Sequence, residues 1–122
     1  MYYGEFNCRE DILGAFNIAS FAGVVVHAQY DYVDYDGSAI VIFMHNGMFH
    51  YVSGGHCSCY GLEDQWEPEA MTAQALVHMI RKGNISGLSG NSVLAGAIER
   101  LNDLVGEDSS PEEIECWLRM LL

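Results

Sequence analysis

The stretch Ser38–Ser53, SAIVIFMHNGMFHYVS, decides the fold of this chain. Its middle is Asn46-Gly47, with β-branched and aromatic residues on both sides. This dipeptide is the strongest short-range signal for a two-residue hairpin, because a type I′ turn needs positive φ at both positions. It therefore predicts two antiparallel strands, Ser38–His45 and Met48–Ser53.

The residues before the hairpin predict a third strand. Val24–Tyr30 is β-branched at its start and then alternates between apolar and polar residues, which is typical of a strand. Together the three segments predict an antiparallel meander. In the register that the turn sets, Phe43 lies opposite His50, and His45 is a diagonal neighbour of His50 on the same face.

The connection between the first two strands, Tyr30–Gly37, is rich in aspartate and tyrosine. Tyrosine offers contact area with few rotamers to order, and the surrounding carboxylates select a basic partner. The alternative is a layer of tyrosines that is partly buried over the core. The residues that the first interpretation assigns to partner binding are Tyr30, Asp31, Tyr32, Asp34, Tyr35 and Asp36.

Four segments carry helix signals. Asn7 is expected to cap the first helix, with Glu10 reaching back to the cap. Pro68 suits the first position of a second helix that ends before Gly83, and apolar residues then repeat at helical spacing up to Gly106. Ser110 to Glu113 form a capping box at the start of the last helix.

The composition and the order of these elements predict one domain over residues 1–122. Half of the 122 residues are apolar, which is enough for a single core. The expected architecture is α+β: a small three-stranded antiparallel meander, an N-terminal helix, and three C-terminal helices packed on one face. A homodimer is also conceivable, because the sheet leaves open edges and the last helix carries Trp117 and Leu121.

The charge excludes several classes of function. The chain has 17 acids and 5 bases, a net charge of −12, and Arg9 is the only base in residues 1–80. Such a field repels phosphates, so direct binding to nucleic acid or to an anionic membrane is disfavoured and a partner with a basic surface is favoured. We see neither a secretory signal nor an apolar run long enough to span a bilayer, so we expect a cytoplasmic protein.

The segment Gly54–Glu69 is the part of the sequence that fold-building explains least. His56, Cys57 and Cys59 offer three borderline or soft ligands, so zinc binding is one hypothesis, although the chain has only one Cys-x-Cys pair. A thiol nucleophile with a histidine base is another, but the acidic surroundings disfavour a thiolate. The third interpretation is structural: the cysteines fill space and the polar groups satisfy one another.

Three further residues of this segment are assigned to partner binding. Glu63 and Asp64 extend the acidic surface, and Trp66 adds an aromatic contact. The position of Trp66 before a predicted helix also suits a hydrophobic staple.

The same segment, GGHCSCYGLEDQWEPE, resembles the signature of a family of small proteins encoded by tailed phages and prophages. The similarity extends over roughly Asn7–Gly83, and it implies no particular activity. It implies a phage-type origin, and small acidic phage proteins commonly bind and inhibit host complexes that handle nucleic acid, including restriction and CRISPR effectors. We therefore expect a non-enzymatic inhibitor without a cofactor, of anti-CRISPR or anti-restriction type, that acts in the host cytoplasm.

Overall fold

The computed structural model of this chain describes residues 1–33, 36–57, 61–83, 91–106 and 108–122. Three of the predicted site residues, Asp34, Tyr35 and Cys59, lie outside the described residues. The predicted Gly/Ser loop at 84–90 lies outside them as well.

The chain forms a five-stranded mixed sheet and four helices, so the α+β class is confirmed. The strands lie in the order β1 to β5; β1 runs parallel to β2, and β2 runs antiparallel to β3. Their bounds are β1 Tyr2–Gly4, β2 Val24–Val33, β3 Asp36–His45, β4 Met48–His56 and β5 Glu69–Met71.

The prediction of a three-stranded meander is wrong in the number of strands and in the purely antiparallel pairing. β2, β3 and β4 do follow one another as predicted, but β1 and β5 add a strand at each edge. Each added strand has only three residues. A run of that length cannot show the alternation of apolar and polar residues by which a strand is recognised in a sequence.

The predicted hairpin turn is present between β3 and β4. Asn46 and Gly47 have φ of 54° and 76°, the positive values that a type I′ turn requires. Phe43 stacks on His50 with ring centroids 5.0 Å apart, as expected for residues that face each other. The rings of His45 and His50 are 6.5 Å apart, which agrees with their predicted diagonal placement.

A β-bulge at Val26 changes the phase of β2. Val25 pairs with Phe43 and His27 pairs with Ile42, so Val26 has no partner of its own on β3. Because the extra residue shifts the alternation, Val25 and Ala28 lie in the same core cluster although they are three positions apart.

The helices are α1 Arg9–Phe16, α2 Ala73–Arg81, α3 Ser92–Leu104 and α4 Pro111–Leu121. The capping box predicted for α4 is confirmed: the Ser110 hydroxyl accepts from the backbone N–H of Glu113, and Pro111 occupies the first position. The cap predicted for α1 is wrong. Its N-cap is Cys8, which makes no side-chain cap, and the Asn7 backbone N–H donates to Asp11 at 2.9 Å.

The prediction that α2 starts at Pro68 is wrong, because the helix starts more than one turn later in the chain. The helix begins at Ala73, where the Thr72 hydroxyl accepts a hydrogen bond from the Ala75 N–H at 3.1 Å. A threonine cap satisfies a backbone donor that would otherwise have no partner in the first turn. The residues after Pro68 instead extend as β5 beside β4, so their backbone groups are paired in the sheet.

The chain comprises two compact units. The first contains Met1–His45 and His50–Ala70, and the second contains Asn46–Phe49 and Met71–Leu122. The core of the first unit is built from one face of the sheet and from α1 and consists of Phe6, Ile12, Phe16, Val25, Ala28, Ala39, Val41, Phe43, Val52 and Leu62. The buried residues on the helices of the second unit include Leu76, Ile80, Leu94, Ile98, Leu101, Ile114 and Leu118. The single-domain interpretation of the sequence stays a prediction.

Among the residues that the structure describes, no helix combines the length and the apolar character needed to cross a membrane.

A hydrogen-bonded row of polar side chains runs along β2. His27 and Gln29 are buried; the His27 Nε2 lies 2.8 Å from the Gln29 Oε1, and the Gln29 amide donates to Asp31 at 3.2 Å. Since the Gln29 amide group points to a carboxylate, its carbonyl faces His27, and the His27 Nε2 must carry a hydrogen. The Tyr3 ring stacks on the His27 ring, with the two ring centroids 4.9 Å apart. Burial lowers the pKa of His27, and the N-terminal ammonium lowers it further, against the opposing effect of the Gln29 hydrogen bond.

The depressed pKa of His27 predicts a loss of stability in mild acid. The unfolded chain binds the proton of a histidine near pH 6.5, whereas the folded chain binds it only at a lower pH, so the free energy of unfolding decreases as the pH falls through this range. We expect His27→Gln to unfold with a weaker dependence on pH between about 7 and 5. The control is His78→Gln at an exposed position of α2, which should leave the dependence as it is in the wild type. Identical profiles for the two variants would contradict this assignment.

The observed start of α2 leads to a second prediction. Thr72→Ala removes the cap and should lower the free energy of unfolding by about 1 kcal/mol. Pro68→Ala should change it by less than about 0.5 kcal/mol, because Pro68 is exposed and precedes the helix. Urea unfolding of both variants compares the two positions, and a larger loss at Pro68 would favour a helix that begins there.

Candidate protein-docking site

The described part of the Gly54–Glu69 segment folds back on β4 through the side chain of Gln65. Its Oε1 accepts from the Gly55 backbone N–H at 2.9 Å, and its Nε2 donates to the Gly61 carbonyl oxygen at 3.0 Å. One amide group therefore joins the end of the strand to the loop that follows. This arrangement agrees with the structural interpretation of the segment, in which the polar groups satisfy one another.

Glycine at position 54 permits this close approach. A Cβ on Gly54 would lie 3.0 Å from Leu62 and 3.1 Å from the Gln65 Oε1. Leu62 is only 1% exposed and belongs to the core of the first unit. The loop is thus anchored by one buried leucine and by one hydrogen-bonded glutamine.

Trp66 lies in an aromatic cluster away from the tyrosines. Its ring centroid is 5.1 Å from that of Phe16, 4.9 Å from that of Phe21 and 5.8 Å from that of Phe43. Phe43 is six residues along β3 from Gly37, a separation of roughly 20 Å in an extended strand. We therefore do not count Trp66 in the docking site described below.

The same cluster holds Arg9, the only base of the first unit. Its guanidinium carbon lies 3.9 Å from the centre of the Phe21 ring, which is a cation–π contact. The guanidinium also donates to the carbonyl oxygens of Gly23, at 2.9 Å, and of Phe21. Arg9 is thus engaged by an aromatic ring and by backbone oxygens, and no ion pair joins it to an acid among the described residues.

Tyr30, Tyr32 and His56 form a second aromatic group, called here the tyrosine–histidine cluster. The ring centroids are 6.3 Å apart for the two tyrosines, 5.8 Å for Tyr30 and His56, and 5.3 Å for Tyr32 and His56. The two tyrosines are neighbours on one face of β2, whereas His56 is the last residue of β4. The sheet therefore brings together residues that are 24 and 26 positions apart in the chain.

Gly37 makes room for the imidazole. Gly37 pairs with Tyr32 across β2 and β3, and a Cβ on it would lie 2.2 Å from the His56 Nε2. No side chain fits there without moving the ring. Gly37 is a residue of β3, so the absence of a side chain there serves packing and not a turn.

The hydrogen bonds of His56 define its tautomer. The Nδ1 lies 2.9 Å from the Cys57 carbonyl oxygen, which can only accept, so Nδ1 carries the hydrogen. In the neutral ring Nε2 is then the acceptor, and it receives the hydrogen of the Tyr30 hydroxyl. Both ring nitrogens are occupied, and the plane of the imidazole is fixed against Gly37.

Exposed carboxylates lie at this end of the sheet, on both of its faces. Asp31 continues the row of His27 and Gln29 on the face opposite Tyr30 and Tyr32, and Asp36 alternates with Gly37 onto that same face. Glu5, Asp31, Asp36 and Glu63 are exposed. The pKa of the Tyr30 phenol is raised above its ordinary value, first by burial and then by Tyr32, Glu63 and Glu5. Glu5 lies before α1 and Glu63 lies in the folded-back loop, yet both act on the Tyr30 hydroxyl, as Tyr32 does. We call this end of the sheet the acid–tyrosine end. Its members are Glu5, Tyr30, Tyr32, His56 and Glu63, together with Asp31 and Asp36 on the opposite face.

The structure brings most of the predicted binding residues to this end, but not all of them. The end of the β2–β3 ladder that adjoins their connection carries Tyr30, Asp31, Tyr32 and Asp36. Of these, Tyr32 has a side chain that is 47% exposed. Asp64 is exposed and follows Glu63, with a left-handed φ of 66°. Of the two tyrosines of the connection that the structure describes, Tyr30 agrees with the alternative of a partly buried layer, because it packs on Phe6 at 5.3 Å between ring centroids.

The zinc and thiol hypotheses stay predictions. Across the described ranges no group of three or more histidine, cysteine or carboxylate side chains is placed to hold a metal ion, and Cys59 lies outside those ranges. His56 would have to break its hydrogen bonds with Tyr30 or Cys57 to bind a metal, because a ligand nitrogen needs a free lone pair. Cys57 is a free, exposed cysteine.

Sequence reasoning missed one member of this site, Glu5, and the placement of His56 and of Gly37, which makes room for it. Glu5 is far from the tyrosine-rich connection in the sequence, and its electrostatic effect on Tyr30 depends on the fold alone. The sequence places Gly37 at the end of the connection, whereas the structure places it in β3, paired with Tyr32. His56 was assigned to a metal site, and no local signal in the sequence links it to Gly37, because that contact is made between different strands.

The second unit has a groove of its own between α2 and α3, with a volume of about 530 Å³. His78, Arg81 and Lys82 lie along one wall, and Glu99 and Asp103 lie along the other. Arg81 and Glu99 form an ion pair across it at 2.9 Å. None of the residues that the sequence assigned to binding contributes to this groove.

A scan against protein-family models and searches of curated proteins and of solved structures found no match to the chain. The resemblance to phage proteins therefore stays an expectation from the sequence.

The packing of His56 on Gly37 predicts a selective effect of added methyl groups. Gly37→Ala should displace the imidazole, break its hydrogen bond with Tyr30, and lower the free energy of unfolding by about 1–2 kcal/mol. In Gly55→Ala the nearest atom to the new Cβ would be the Gly37 carbonyl oxygen at 3.5 Å, an ordinary contact, so this matched variant should be near neutral. Urea unfolding measures both, and equal losses would contradict the described placement of His56.

Proposed function

We propose that this chain is a non-enzymatic binding protein whose acid–tyrosine end docks on the basic, nucleic-acid-binding surface of another protein. The observation that carries the proposal is the charge of the first unit. It contains ten acids and one base, a net charge of −9, and its base is Arg9. Since Arg9 is held by Phe21 and backbone oxygens, it leaves the exposed carboxylates free to attract a partner.

The distribution of charge supports a directed surface. The second unit has seven acids and four bases, a net charge of −3, so most of the negative charge belongs to the unit that holds the tyrosines. Complementary charge steers association and selects against partners of the same sign. Within about one Debye length of the surface, a field of this kind favours protein surfaces that ordinarily bind phosphates.

The tyrosines supply what charge alone does not. Exposed carboxylate pairs contribute little net affinity, and most binding energy comes from a few aromatic or arginine contacts. Tyr32 is 47% exposed beside Asp31 and opposite Gly37, so its ring is open to a partner. An aromatic residue within an acidic rim is the arrangement expected of a docking site.

A protein bound in this way would block access of nucleic acid to its partner. We therefore extend the proposal to inhibition: the chain occupies the basic surface of a complex that handles nucleic acid, in the cytoplasm of a bacterial host. A restriction or CRISPR effector is the type of target that the resemblance of Gly54–Glu69 suggests. This extension depends on that resemblance, whereas the docking itself depends on charge and exposure.

The test of the proposal compares two double variants with the same net charge. Asp31→Lys with Asp36→Lys reverses the acid–tyrosine end, and Glu112→Lys with Glu115→Lys reverses exposed acids of α4. The immobilised wild type should capture a basic nucleic-acid-binding protein from bacterial lysate. The α4 variant should retain the capture, and the first variant should lose it.

Two conditions make the capture specific. At about 1 M salt, where the Debye length is ~3 Å, the partner should be released. Added DNA should compete with the chain, because both occupy the same basic surface. Capture that withstands the Asp31 and Asp36 reversals, salt and DNA would refute the proposal.

A further inference from the structure

We infer that the tyrosine–histidine cluster is a recognition site for a cationic side chain, and that an arginine of the partner inserts there. The inference rests on the proposed function, which requires a basic partner, and it names the group that the site receives. Three aromatic rings of the first unit meet at the surface, with centroids 5.3 to 6.3 Å apart. A cation on the exposed Tyr32 face is attracted by the ring, since cation–π attraction acts to about 6 Å from a ring centroid.

The rings are held in place before a ligand binds. His56 is fixed by Tyr30 at one nitrogen and by the Cys57 carbonyl at the other, and its plane is set against Gly37. Tyr30 packs on Phe6 in the core. Only Tyr32 is substantially exposed, so binding would order few side chains and lose little conformational entropy.

The electrostatics of the cluster favour a cation. The Glu5 backbone N–H donates to the Tyr30 carbonyl oxygen at 2.8 Å, so Glu5 lies beside Tyr30, and Glu63 and Glu5 both add to the effect of burial in raising the pKa of the Tyr30 phenol. The His56 ring donates to the Cys57 carbonyl oxygen through Nδ1 and accepts from the Tyr30 hydroxyl at Nε2, so both ring nitrogens are engaged within the chain. A cation between the rings and Glu63 would therefore meet π-electron density and carboxylate together.

Arginine suits this site better than lysine. Its planar guanidinium stacks on aromatic rings and is more weakly hydrated than an ammonium group, so it is more easily transferred from water to a ring face. The chain itself contains such a contact, because the Arg9 guanidinium lies 3.9 Å from the centre of the Phe21 ring. Arginine is also abundant on surfaces that bind nucleic acid.

The probe for this site is an arginine–glycine repeat peptide, with a lysine–glycine peptide of the same length for comparison. Calorimetric titration of the full chain with each peptide measures affinity. Tyr32→Leu should weaken binding of the arginine peptide by about 3- to 30-fold. Tyr3→Leu, which removes an exposed tyrosine of β1 that stacks on His27, should leave binding as in the wild type. The lysine peptide should bind the wild type more weakly than the arginine peptide does. Its affinity should also decrease by a smaller factor on Tyr32→Leu.

A further double variant, compared with Tyr32→Leu, separates this inference from the proposed function. Asp31→Lys with Asp36→Lys should weaken both peptides, because it removes the attraction of charge. If that variant loses binding while Tyr32→Leu binds as the wild type does, the cation site is refuted and the acidic docking surface stands. If neither variant differs from the wild type, the proposed function fails as well. Equal affinities for the two peptides would refute the preference for arginine.

Discussion

The side-chain amide of Gln65 determines how the first unit is completed. By joining the Gly55 N–H to the Gly61 carbonyl oxygen, it holds the loop after β4 against the sheet. That arrangement buries Leu62 in the core, directs Trp66 to the aromatic cluster of α1, and leaves Glu63 at the surface. An amide with a donor on one side and an acceptor on the other is the group that can satisfy both backbone positions at once.

The first unit separates its one cation from its anions. Arg9 stabilises an aromatic cluster and interacts with backbone oxygens, so in the described part of the chain it forms no ion pair with the exposed carboxylates at the acid–tyrosine end. Like charges that are gathered on one surface destabilise a fold slightly, because they repel one another. Such a cost is understandable where a surface has to attract a partner. The tyrosines then convert a long-range attraction into short-range contact.

The sequence predicted the parts of the fold that follow from local rules. The Asn46-Gly47 turn and the Ser110 capping box each specify one conformation, and the structure has both. Sequence reasoning failed where tertiary pairing prevails over local preference: Pro68 carried a helix signal, yet the residues after it pair with β4. The binding residues on β2 were predicted from composition, but their contact with His56 depends on the pairing of distant strands and on the absence of a side chain at position 37.

The most direct measurement is a map of amide and aromatic chemical shifts in the full chain during titration with the arginine–glycine peptide. The account predicts that the perturbed signals belong to Tyr30, Tyr32, Gly37, His56 and Glu63, and that the signals of α2 and α3 stay constant. Perturbations confined to the groove lined by Arg81 and Glu99, or spread evenly over the acids of both units, would contradict it.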